Sequence, residues 1–64
     1  MSRPIILTIR NCSNGINLFE TNNFTGPIPR SGEWIRINKY QTYRVVSVTY
    51  NYDSFGIESV VIEV

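Results

Sequence analysis

The chain predicts an all-β fold: a small five-stranded barrel or a strongly bent antiparallel sheet, in a single domain spanning residues 1–64. Three observations carry this. Short runs of Ile, Val, Tyr and Thr alternate with polar residues at a period of two. Asn-Gly, Gly-Pro and Asp-Ser-Phe-Gly sequences punctuate them. No window shows helical periodicity with caps at its ends.

The first strand is expected at Ile5–Arg10, with Ile5, Leu7 and Ile9 on one face and Ile6, Thr8 and Arg10 on the other. Asn14-Gly15 then predicts a type I′ hairpin turn, which needs positive φ at both central residues. Ile16, Leu18 and Phe19 make a short second strand. From Glu20 to Gly32 the chain holds Asn22-Asn23, Gly26-Pro27, Pro29 and Ser31-Gly32. Proline lacks a ladder donor and glycine relaxes φ, so a long loop is expected here. Phe24 and Ile28 are expected to pin it down, leaving Arg30 to point outward.

Glu33–Asn38 is the expected third strand, with Ile35 and Ile37 on one face and Trp34 and Arg36 on the other. A turn follows at Lys39-Tyr40-Gln41-Thr42. Tyr43–Tyr52 reads as a long central strand of ambiguous phase: Val46, Val48, Tyr50 and Tyr52 share one face, Tyr43 and Val45 the opposite one. The adjacent Val45 and Val46 call for burial on both sides or for a β-bulge that shifts the phase. Asp53-Ser54-Phe55-Gly56 is a tight turn, and Ile57–Val64 the last strand. That strand either closes the barrel or pairs across a subunit boundary.

Size bears on this choice. A domain of 64 residues buries only about 60% of its unfolded surface and is marginal alone. Such domains often add disulfides, a metal or a partner. Cys12 is the single cysteine and there is no histidine, which excludes an internal disulfide and disfavours a structural zinc site. That leaves good packing or oligomerisation; elimination favours a homo-oligomer, with Phe55, Val60, Ile62 and Val64 as its interface. Phe55, at a turn tip, is either folded back on the sheet or offered to a partner.

The same inventory argues against an enzyme. No histidine can act as a base near neutral pH, and Cys12 lacks a histidine to activate it. No Gly-rich phosphate loop leads into a helix. The five acidic residues are scattered, so neither a hydrolytic carboxylate pair nor a calcium cluster is indicated. No cofactor is expected. The Ile5-Ile6-Leu7 run is too short for a signal core and no segment approaches membrane-spanning length, so a cytoplasmic location without a membrane partner is expected. The lone thiol suits a reducing compartment.

What remains is recognition. Trp34 and Arg36 share a strand face; Tyr43, Arg44 and Lys39 lie near the following turn, and Arg30 enters from the loop. Aromatic faces interleaved with guanidinium groups suit stacked bases and phosphate oxygens. Arg30, Trp34, Arg36, Tyr43 and Arg44 are therefore the candidate ligand-binding residues. The plainer reading is that Trp34 caps the core and that the arginines, Arg3 and Arg10 among them, are solvated surface charges.

Pro29-x-x-Gly32-Glu33-x-Ile35-x-Ile37, followed by Tyr43-x-Val45-x-x-Val48, resembles a pattern in very small phage-encoded proteins with Src-homology-3-like barrels. The resemblance spans residues 29–50. It implies a fold and a phage origin, hence a host-cell cytoplasmic setting, and no particular activity. A role suited to that origin is counter-defence, by sequestering a host immune signal or blocking a host protein. Three functions follow in order: an oligomeric module for a phosphorylated or nucleotide-like ligand, a virion structural or assembly protein making strand-edge contacts, and a nucleic-acid-binding barrel. The net charge of +1 weakens the last, because phosphate tracking needs many cations.

Overall fold

The computed structural model describes residues 4–37, 39 and 41–64, and they are all-β. Among the described residues, six strands replace the expected five: β1 (Ile5–Arg10), β2 (Asn17–Phe24), β3 (Trp34–Arg36), β4 (Thr42–Arg44), β5 (Ser47–Asp53) and β6 (Gly56–Glu63). They form a four-stranded sheet in the order β2-β1-β6-β5 and a separate two-stranded β3-β4 hairpin. The larger sheet has two edges and does not close into a barrel. Nor is it wholly antiparallel, since β1 and β6 lie parallel at its centre. Parallel neighbours need a long crossover, here supplied by β2 to β5.

The expected type I′ turn between the first two strands is absent. Gly15 takes φ 73, but no other described residue except glycine has positive φ. Asn14 instead uses its side chain: Oδ1 accepts from the Ile16 N–H at 2.9 Å. Asn11 does the same for Ser13 at 2.8 Å, while the Gly15 N–H donates to the Asn11 carbonyl. Asparagine favours such side-chain turns for the same reason that it tolerates αL, so one dipeptide signal fits both.

β2 runs on through Glu20–Phe24, which the sequence places in a loop. Its register against β1 slips twice. Ile5 pairs with Phe24 and Leu7 with Thr21, so three steps on β2 meet two on β1; Ile9 pairs with Phe19 and Arg10 with Asn17, two steps against one. Bulges absorb the poor strand formers Asn22 and Asn23. Phe24 and Ile28 do pack on the core, as expected, and anchor the following loop.

The Val45-Val46 ambiguity resolves as a change of sheet. The Val45 N–H donates to Glu33 ahead of β3, at 2.8 Å; one residue later, the Val46 N–H donates to Glu63 of β6, at 2.7 Å. Val45 is 2% exposed and Val46 57%. The expected long strand Tyr43–Tyr52 is thus two strands, β4 and β5, each with its own phase. A smaller slip sets the phase of β6: Asn51 pairs with Ser59 and Tyr52 with Ile57. The extra residue carries Ile57 to the face of Val60 and Ile62, where it packs against the core.

That core is Leu7, Ile9, Val45, Val60, Ile62 and Val64. Val60 and Ile62 are fully enclosed and Val64 is 9% exposed. Val64 extends the parallel ladder, its N–H donating to Arg10 and its carbonyl accepting from Cys12, both at 2.9 Å. This corrects the assignment of Val60, Ile62 and Val64 to a subunit interface. β6 is an inner strand with neighbours on both sides, and these side chains make the centre of the chain's own core. Phe55, 87% exposed at the β5–β6 turn, is the one member of that expected set on the surface.

Candidate functional site

The β3–β4 hairpin sorts its side chains by strand parity. Trp34 pairs with Arg44, Ile35 with Tyr43, and Arg36 with Thr42. Ile35, Ile37 and Tyr43 turn inward and pack against the core. Trp34, Arg36, Thr42 and Arg44 are left on the outward face, all exposed, and Trp34 is 67% so. The expectation that Trp34 and Arg36 share a face opposite Ile35 and Ile37 is met.

Register brings Trp34 close to Arg44. The Val45 N–H donates to Glu33 and the Ile37 N–H to Gln41, so Trp34–Arg44 and Arg36–Thr42 fall at the non-hydrogen-bonded positions between them. There side chains approach most closely, with Cβ atoms about 4.5–5.5 Å apart. Arg36 and Arg44 stand on the diagonal, on the order of 7–8 Å apart. Neither has a carboxylate partner among the described residues. The nearby Glu33 is engaged with the loop, its Oε1 accepting from the Arg30 backbone N–H at 2.6 Å. An exposed indole beside two guanidinium groups is thus held on one short antiparallel ladder.

Two candidates do not join this face. Tyr43 is half-buried on the opposite side of the hairpin, and its hydroxyl donates to Gln41 Oε1 at 3.1 Å. The period of two forbids it the face of its neighbour Arg44. Arg30 sits exposed on the loop before β3, beside Pro29 and Glu33 on a shallow, open depression. Lys39 is exposed past the end of β3; Arg3, Asn38 and Tyr40, which figure in the sequence reading, lie outside the described residues.

A second feature had no clear sequence signal. An apolar cleft of about 260 Å³ opens between the large sheet and the hairpin. Leu7, Ile9 and Ile62 form its floor; Phe19, Phe24, Pro27, Pro29, Ile35 and Ile37 form its walls; among the described residues Arg36 is the single charged one lining it. It is smaller than the usual 300–1,000 Å³ or so of a small-molecule site. Only the clustering of Phe24, Pro27 and Pro29 hinted at it, and that reads equally as loop packing.

Cys12 is exposed at the start of the β1–β2 turn. Among the described residues no group of histidine, cysteine and acidic side chains could hold a metal ion, and no helix is long and apolar enough to cross a membrane. No protein-family model, no curated protein and no solved structure matches this chain.

Proposed function

We propose that this chain is a non-enzymatic binding module that works as a homo-oligomer and holds a phosphorylated or nucleotide-like ligand on the outward face of β3–β4. The supporting observation is the cross-strand pair of Trp34 with Arg44, with Arg36 on the same face. The indole offers a flat surface to a base, and the two guanidinium forks offer donors to phosphate oxygens. A solvent-exposed tryptophan contributes little to a monomer's core. Such binding needs no acid, base or nucleophile, which suits a chain without histidine. In the phage setting that the resemblance of residues 29–50 implies, a protein of this kind would act by sequestering a host signal.

Trp34 is the only tryptophan, so its fluorescence reports on this face alone. The protein should be titrated with nucleoside mono-, di- and cyclic phosphates, and separately with a short oligonucleotide at low and high salt. Saturable quenching by a nucleotide is expected. Base–aromatic stacking is worth about 1–3 kcal/mol, so calorimetry on Trp34→Ala should show affinity reduced roughly tenfold or more, and Arg44→Ala should act similarly. Equal binding by both variants sinks the assignment. Quenching by the oligonucleotide alone, falling steeply with salt, identifies a nucleic-acid binder. No response to any of them favours the structural or assembly role.

A further inference from the structure

We infer that the outer edge of β5 is the surface on which two copies of this chain associate, antiparallel, about a twofold axis at Tyr50. This rests on the oligomeric part of the proposed function and gives it a location.

The two edges of the large sheet differ. An exposed edge strand is a pairing template unless bulges, charges or proline blunt it. β2 is blunted: its ladder slips twice, and it carries Glu20. β5 is not. Its seven residues, Ser-Val-Thr-Tyr-Asn-Tyr-Asp, include no proline, lysine or arginine. Ser47 to Asn51 pair with β6 without a break, and the extra residue at the one slip lies on β6. Among the described residues no strand covers the outer side of β5.

The strand is complementary to itself. Antiparallel pairing centred on Tyr50 sets Tyr50 against its own copy, and Val48 against Tyr52. These residues occupy the face that β5 shares with Val60 and Ile62, and Tyr50 and Tyr52 are 41% and 68% exposed. Aromatic and aromatic–β-branched cross-strand pairs are favourable, and the seam would join two half-covered apolar strips into one. Asp53, the only charge in β5, would face Ser47; parallel pairing would stack it on Asp53. Beyond the strand, Phe55 would project towards the partner's Val46, which is 57% exposed. This match of a strand to its own reverse selects a second copy over an unrelated partner.

The test is sedimentation velocity across a concentration series, for the wild type, Tyr50→Lys, Tyr50→Asp and Asn22→Lys, with circular dichroism to check the fold. Lysine at position 50 can lay its stem over Val60, so the monomer should survive. Two copies would then oppose like charges, and the dimer should weaken roughly tenfold or more. Mixing Tyr50→Lys with Tyr50→Asp should restore a dimer. Asn22→Lys, on the other edge, should leave it unchanged. A wild type that stays monomeric at every concentration overturns both the edge and the oligomer. An oligomer that survives Tyr50→Lys, or that Asn22→Lys disperses, overturns the edge alone. Neither result bears on the ligand, which the Trp34 titration reads separately.

Discussion

Val45 and Val46 are adjacent and chemically identical, yet at the change of sheet one is enclosed and the other is left open. Val45 is 2% exposed and Val46 57%. Truncating each to alanine removes two methyl groups. At Val45 the lost transfer energy is about 1.6 kcal/mol, from about 0.8 kcal/mol per buried group. A residual cavity of some 40–50 Å³ adds about 1 kcal/mol at roughly 24 cal/mol per Å³. The expected cost of Val45→Ala is therefore about 2–3 kcal/mol. Val46→Ala should cost no more than about 0.5 kcal/mol, the usual range for surface positions. A domain of this size loses about 4–8 °C in Tm per kcal/mol, so Val45→Ala should melt about 10–20 °C lower and Val46→Ala within a few degrees of the wild type. Urea and thermal denaturation followed by circular dichroism, at low protein concentration, give both numbers. Equal costs, or a larger cost at Val46, would refute the exposed position of Val46 and restore the alternative in which both valines are buried, one on each side of the strand.

Two other expectations rest on local structure. Gly56 closes the β5–β6 turn at φ 128, where nothing obstructs a side chain but no L-residue is comfortable; Gly56→Ala should destabilise by about 1–3 kcal/mol through backbone strain alone, measurable by the same denaturation. Cys12 is exposed, so a thiol reagent should label it stoichiometrically in the native protein without denaturant; labelling that waits for unfolding would place it elsewhere.

Much of the hairpin was readable from the residues. The alternation Trp34-Ile35-Arg36-Ile37 separates an apolar face from an aromatic and cationic one whatever the strand pairs with, because successive side chains of a strand point to opposite sides. Arg44 could not be placed in the same way. Its position beside Trp34 depends on the length of the turn, which sets the register. Tyr43, expected among the ligand-binding residues, packs inward, because the strand period sets it on the opposite side from its neighbour Arg44. The cleft is assembled from β1, β2, β3, β6 and the Phe24–Pro29 loop, and no local pattern announces such a convergence.

By itself the sequence determined the all-β class, the shared faces of Leu7 with Ile9 and of Val60 with Ile62 and Val64, the anchoring of the loop by Phe24 and Ile28, and the tight turn at Asp53–Gly56. Each follows from the strand period or from turn chemistry within a few residues. Tertiary structure alone decided that β1 and β6 lie parallel, that β2 extends through two asparagines by bulging, and that the chain leaves one sheet for another between Val45 and Val46. It also moved Val60, Ile62 and Val64 from an expected interface into the core. The physical reason is the same throughout. The period of a strand fixes which side chains share a face, but which strand it joins, and in what register, is settled by the joint burial of residues far apart in the chain.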